Sequence, residues 1–163
     1  FHPYQITGHV SVTPNHQTQR HTPLQTRQDL ASATNMGYEL NLLEFSEEEE
    51  KRVIKHISEY KQSRHLVKYG NFYHLKSPFT SNQTAWLFES QDKSHYQFIA
   101  FNNVFKVSQH HAIFKIPYLD QDANYVDQFG REFSGAELVH SGLHIPFAAS
   151  DFQSYTLELS RVE

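Results

Sequence analysis

The sequence contains no cysteine. Disulfides, thiolate metal sites and cysteine nucleophiles are therefore excluded, and the absence fits a reducing compartment, so a cytoplasmic location is expected. No apolar run approaches the roughly 20 residues a membrane span needs, so no membrane partner is expected. Glycine is scarce, with six residues, and neither a phosphate-cradling glycine loop nor a Gly-x-Ser-x-Gly elbow occurs. Lysine and arginine number 14 against 18 acidic residues, a net charge of −4, and form no stripe that would neutralise phosphates. Nucleic acid is therefore not an expected partner. What the chain has in abundance is Phe, with 13, and Tyr, with 9, residue types suited to pleated, half-buried surfaces. Its 38% apolar and 20% charged residues are globular values. Phe1-His2-Pro3-Tyr4 reads neither as a signal peptide nor as a natural start, so a longer parent protein is expected.

Two periodicities divide the chain. Gly8 to Thr13 mixes small and β-branched residues as a buried parallel strand does, and Pro14 ends it. A helix follows with Thr22 as its cap and Pro23 in the first turn. Leu24, Arg27, Leu30, Ala31 and Thr34 share one face of it, and Asn35-Met36-Gly37 is the expected stop. Gly37 to Phe45 is then the economical choice for a second parallel strand. Ser46-x-x-Glu49 is a capping box opening a second helix, with Val53, Ile54, Ile57, Tyr60, Arg64 and Val67 at helical spacing and Gly70 at its end. Glu47–Lys51 and Glu48–Arg52 are candidate i,i+4 pairs, worth about 0.2–0.5 kcal/mol each.

From Asn71 the period is two. Strands are predicted at residues 72–76, 85–89, 95–101, 112–117, 125–129 and 154–162, with a hairpin turn over Gln91–Ser94 and a helical turn over 134–138. Short strands at this spacing predict an antiparallel β-sandwich.

Few residues present themselves as chemistry. His110 and His111 are adjacent, so on a strand they point to opposite faces, and no metal-ligand spacing accompanies the 12 histidines; no metal is expected. Glycoside hydrolysis needs two carboxylates converging at roughly 5–9 Å. Glu47 to Glu50 lie on a solvated helix start, and Asp120 and Asp122 in a turn with Asp127 on a strand nearby, so no catalytic residue is assigned. Trp86, Phe88, Tyr96, Phe98 and Phe101 are candidates for a sugar-stacking platform, although alternating aromatics on paired strands more often form core. The most functional-looking cluster is His9, Asn15, His16, Gln17 and Arg20, in and after the first strand. Two readings are open for it: contact with ligand, or hydrogen-bonded support of a loop.

The blocks His9-Val10-Ser11, Pro14-Asn15-His16-Gln17-Thr18, Thr22-Pro23-Leu24 and Thr26-Arg27 resemble the α-galactosidases of glycoside hydrolase family 36, the bacterial melibiase and raffinase group. The similarity continues through Gly37-Tyr38-Glu39-Leu40, Ser46-Glu47-Glu48-Glu49, Tyr69-Gly70-x-Phe72-Tyr73, Ser77-Pro78-Phe79 and Asp92-Lys93-Ser94. It ends with Phe133-Ser134-Gly135-x-Glu137-Leu138 and Gly142-Leu143, covering nearly the whole chain. Gln19 stands where glycine is common in the family and Gln25 where glutamate is common. The resemblance implies a mixed α and β architecture: residues 1–70 as the last two βα units of a catalytic (β/α)8 barrel, and residues 71–163 as a C-terminal antiparallel β-sandwich. It also implies a retaining enzyme that hydrolyses terminal α-galactosyl residues of melibiose- or raffinose-type sugars. No cofactor is expected. The parent is expected to be a homo-oligomer whose two catalytic aspartates lie upstream of Phe1, leaving this chain inactive by itself. His9, Asn15, His16, Gln17 and Arg20 then become candidate substrate-binding residues at the barrel rim. The alternative reading is a non-catalytic carbohydrate-binding or interaction β-domain.

Overall fold

The computed structural model describes residues 1–107 and 112–162, which leaves the His110-His111 pair outside the described residues. The chain forms two compact units, Phe1–Lys68 and Tyr69–Glu163.

In the first unit, β1 (Thr7–Ser11) is followed by α1 (Leu24–Ser32), β2 (Asn35–Glu39) and α2 (Glu47–Tyr69). β1 and β2 pair in parallel, with Val10 opposite Tyr38, so the unit holds two successive strand-helix modules as the sequence suggests. Gly8 is required by close approach: a Cβ there would stand 2.1 Å from Thr34 Oγ1 and 3.1 Å from Ala31 Cα.

Several boundaries differ from the sequence-based expectation. β2 begins at Asn35, inside the stretch expected to stop the helix, and Leu42–Glu44 is a 3-10 turn rather than strand. The helix is closed earlier, where both the Thr34 amide and its hydroxyl donate to the Ala31 carbonyl. Asn35 N then donates to Ile6 O, extending the parallel ladder. Thr22 does not cap α1; its N–H donates to Thr13 Oγ1 at 3.2 Å. The buried residues of α1 are Thr26, Gln28, Asp29 and Ala31, while Leu30 is 48% exposed. This helix therefore seats itself through polar contacts more than through an apolar stripe.

The α2 capping box forms as expected. Glu49 Oε2 accepts from Ser46 N at 3.0 Å and Ser46 Oγ at 2.9 Å, and Glu49 N donates to Ser46 Oγ at 3.3 Å. These donors hold the Glu49 carboxyl below the usual carboxylate range. Val53, His56, Tyr60 and Val67 are the buried residues of α2, and Ile54 faces outward. Arg52 donates to Gln25 Oε1 at 3.4 Å rather than pairing with Glu48, and Lys55–Glu59 forms an i,i+4 ion pair on this helix.

The second unit is built on a six-stranded antiparallel sheet in the order β3-β4-β5-β10-β7-β8: β3 (Asn71–Lys76), β4 (Gln83–Glu89), β5 (His95–Asn102), β10 (Gln153–Val162), β7 (Asn124–Asp127) and β8 (Glu132–Ser134). A two-stranded antiparallel ribbon, β6 (Ala112–Phe114) and β9 (Leu143–Ile145), completes its strands. Ala85, Leu87, Phe98, Ala100, Leu157 and Leu159 of the large sheet share a core with Phe114, Ile116, Leu138 and Ile145. The Gln91–Ser94 segment joins β4 to β5 as the expected hairpin, with Glu89 opposite Tyr96. Ser134–Leu138 is part strand end and part a π-helical turn over Glu137–Ser141. β8 and β9, three residues each, escaped the sequence pattern because so short a run displays no period.

The β7–β8 connection is organised by Asp127, which is 6% exposed. Its Oδ1 accepts from Phe129 N at 2.9 Å and Arg131 N at 2.8 Å, its Oδ2 accepts from Arg131 Nε at 2.6 Å, and Gly130 takes the left-handed φ of 81° between them. The strand expected through Phe129 therefore ends at Asp127, and Phe129 is exposed in the turn.

Candidate functional site

The loop between β1 and α1 carries four of the five candidate residues, and Asn15 is its hub. Asn15 Oδ1 accepts from Gln17 N at 3.1 Å, Thr18 N at 3.0 Å and Thr18 Oγ1 at 3.1 Å. Asn15 N donates to Arg20 O at 2.9 Å, and Gln19 N donates to Asn15 O at 2.8 Å. Gln19 Nε2 donates to the His16 carbonyl at 3.2 Å. This is Asx-turn chemistry, in which a short amide side chain substitutes for a backbone acceptor. The Thr13–Pro14 bond is cis, and Gln19 has φ 56°, the left-handed region. That position is the one where the family resemblance puts glycine.

Beneath the loop, Arg27 ties both ends together. Its Nη1 donates to the Ser11 carbonyl and its Nε donates to the Thr22 carbonyl at 3.0 Å. Burial lowers the pKa of this guanidinium, opposed by the charge of Glu49. The side chains of His16, Gln17 and Arg20 stay exposed on the loop surface. Asn15 organises the loop through its hydrogen bonds, and His16, Gln17 and Arg20 are displayed by it.

His9 stands apart from the loop. On β1, Val10 is fully buried and His9 is exposed. The imidazole Nδ1 lies 2.8 Å from Glu39 Oε2 at the end of β2. Glu39 was missed in the sequence because its relation to His9 depends on register: the parallel ladder sets His9 opposite Gly37 and Ser11 opposite Glu39, so the pair is diagonal.

A second polar group, also missed, joins α1, β2 and α2. Gln28 Nε2 donates to the Tyr38 hydroxyl at 3.0 Å, Tyr38 lies 2.6 Å from His56 Nδ1, and His56 Nε2 lies 2.7 Å from Ser32 Oγ. Ser32 Oγ in turn points at Met36 Sδ at 4.0 Å. A neutral imidazole accepting at Nδ1 and donating at Nε2 satisfies the whole chain in one direction. Burial lowers the pKa of His56, against the opposing charge of Glu59. Burial likewise raises that of Tyr38.

In the second unit the aromatic strands do not form a platform. Phe88 and Phe98 are fully buried, Tyr96 is 2% and Phe101 5% exposed, and Trp86 Nε1 is sealed without a hydrogen-bond partner among the described residues. Glu89, 1% exposed, accepts at Oε2 from Asn71 Nδ2 and Tyr73 Oη, both at 2.9 Å. Burial, with the charge of Glu89 and this bond, pushes the Tyr73 hydroxyl up. A shallow cleft of about 440 Å³ lies among His74, Lys76, Lys115 and Tyr118. Among the described residues no three His, Asp or Glu side chains converge as a metal site would require, and no helix is long and apolar enough to cross a membrane.

Comparison with known proteins finds two family models that match this chain. The Melibiase family profile matches residues 1–70, and that of the glycosyl hydrolase family 36 C-terminal domain matches residues 83–159. Among curated relatives, alpha-galactosidase AgaA of Geobacillus stearothermophilus is 34% identical over 96% of this chain and 21% of its own length. Alpha-galactosidase 1 of Pediococcus pentosaceus is 37% identical over 90% of this chain and 20% of its own. The crystal structure of a doubly substituted AgaA in complex with raffinose superposes with a TM-score of 0.90 at 35% identity, covering 94% of this chain and 21% of that one. The chain thus spans about a fifth of the length of the relatives it matches.

Proposed function

We propose that this chain, which belongs to the α-galactosidases of glycoside hydrolase family 36, forms the C-terminal portion of a longer enzyme that hydrolyses terminal α-galactosyl residues of melibiose- or raffinose-type sugars. In this reading residues 1–70 supply the last two βα units of a (β/α)8 barrel and residues 71–163 a C-terminal β-sandwich domain. The observation that carries it is the β1-α1-β2-α2 order with parallel strands, coinciding with the span matched by the Melibiase profile. Two βα units cannot close a barrel, so both outer strand edges need partners from elsewhere in the polypeptide. The reacting carboxylates of a retaining enzyme flank the scissile bond, and in the family they belong to earlier barrel strands. This chain contributes the loop after β1, on the side of the barrel where βα loops surround substrate.

A homo-oligomer is part of the same reading, as is the absence of any cofactor. The carbohydrate-binding alternative draws no support from Phe88, Tyr96, Phe98 and Phe101, which are buried, and the partly buried Trp86 packs edge-on against Phe72 and Phe101.

The test is a chimera in which this chain replaces the C-terminal fifth of AgaA. Release of galactose from raffinose by the chimera, with none from the isolated chain or from AgaA truncated at the same point, is the expected outcome. An isolated chain that hydrolyses nitrophenyl α-galactoside contradicts the reading.

A further inference from the structure

The two-stranded sheet of the first unit has two unlike faces. Gly8 and Val10 of β1 look toward α1, since a Cβ at Gly8 would meet Ala31 and Thr34, and Val10 is fully buried. Tyr38 of β2 points the same way, into the Gln28–His56 network. Alternation then sends Thr7, His9 and Ser11, with Asn35, Gly37 and Glu39, to the opposite face. Every one of these six is polar or glycine. In the layered interior of a barrel, bulky branched side chains dominate. A face with no apolar side chain at all is suited to water or sugar hydroxyls instead.

The His9–Glu39 pair is the centre of that face. Glu39 is the last residue of β2, at the C-terminal strand end where barrel enzymes hold their substrates. The His9 ring lies across Gly37, where an added Cβ would stand 3.8 Å from His9 Cδ2, and the missing side chain opens the path to Glu39. A carboxylate bonded at Nδ1 fixes ring orientation and leaves Nε2 as the group presented to a ligand.

We infer that His9 is a sugar-binding residue of the assembled barrel, oriented by Glu39 across Gly37, with its Nε2 directed at hydroxyls of the bound galactosyl group. Glu39 acts as a positioning residue through His9. The inference rests on the barrel reading above and adds to it a named contact and its support.

The experiment uses the AgaA chimera and reads competitive inhibition by free galactose together with KM and kcat for nitrophenyl α-galactoside. His9→Ala is expected to weaken galactose inhibition at least 10-fold, and Glu39→Ala 3- to 10-fold. His9→Gln, which keeps a side-chain donor, is expected to recover part of the loss. Val10→Ala, on the helix side of the same strand, is expected to lower Tm with the galactose inhibition constant unchanged. Gly37→Val, whose branched Cγ atoms extend past a Cβ placed 3.8 Å from His9 Cδ2 and crowd the ring, is expected to behave like Glu39→Ala. Galactose inhibition by His9→Ala equal to that of the unsubstituted chimera overturns the inference and leaves the barrel reading standing. An inactive unsubstituted chimera overturns both.

Discussion

The Tyr38 hydroxyl lies 2.6 Å from His56 Nδ1, and through that bond the second strand of the first unit is joined to its long helix. The relationship is neutral and partly buried, with His56 itself 8% exposed. Because burial lowers the pKa of His56, the unfolded chain binds more protons than the native one once pH falls below the unfolded value of about 6.5. The stabilising contribution is therefore present above that pH and lost as pH drops toward the folded pKa. Thermal melts followed by circular dichroism are expected to show Tm falling between pH 7 and 5. His56→Gln is expected to lower Tm at pH 7.5 and to flatten the acid decline. An unchanged slope in that variant contradicts the assignment.

Tyr38→Phe removes the acceptor of Gln28 Nε2 and the donor to His56 together. Leaving buried polar groups without partners costs about 1–3 kcal/mol. Urea denaturation is the measurement, and a loss below about 0.5 kcal/mol would show that water replaces the hydroxyl at no penalty.

Asp127 is expected to be the most sensitive turn residue of the second unit. Burial pushes its carboxyl up, but the N–H groups of Arg131 and Phe129 and the Arg131 guanidinium outweigh it, so the pKa is lowered. Stability from this group is present above an unfolded value of about 3.9 and lost as pH falls through the folded value. Asp127→Ala is expected to cost about 2–3 kcal/mol at pH 7, from hydrogen bonds to a charged acceptor, and progressively less as pH falls below about 3.9. A loss at pH 7 no larger than that of an exposed-surface alanine substitution would count against the carboxylate.

Gln19 holds a left-handed φ of 56° that a side chain with a Cβ adopts at a cost of about 1–2 kcal/mol. Gln19→Gly is expected to be stabilising by up to about 1 kcal/mol, after the entropy glycine adds to the unfolded chain. The opposite variant, Asn15→Ala, removes the acceptor of two backbone N–H groups and should speed hydrogen exchange at Gln17 and Thr18 while leaving β4 and β5 protected. Uniform exchange across both units in that variant would mean the loop is not a local element.

Much of the architecture was legible because it rests on local signals. Ser46 and Glu49 fixed the start of α2, the switch from period 3.6 to period 2 near Gly70 falls close to the division between the two units, and the Gln91–Ser94 turn set one hairpin. The α1 face was misjudged because Gln28 and Asp29 are buried in place of Leu30, an inversion that arises only when partners such as Tyr38 and Gln25 are in position. β2 was displaced because Asn35-Met36-Gly37 has the composition of a helix stop yet is held in the ladder by Ile6 and by Tyr60 Oη. β5 was legible although Tyr96 to Asn102 are buried on both faces, because its aromatic residues and the preceding turn mark it. At the candidate site, the polar loop after Pro14 was visible in composition, whereas its Asn15 turn, His9–Glu39 and Tyr38–His56 depend on loop conformation, register and helix placement that spacing alone does not supply.

An experimentally determined structure of the AgaA chimera tests the central claim most directly. The expected result is β1 and β2 as adjacent parallel strands within the barrel, hydrogen-bonded at both outer edges, with His9 and Glu39 on the interior side. Strands β1 and β2 lying outside the barrel, or His9 and Glu39 turned toward the helices, would contradict it.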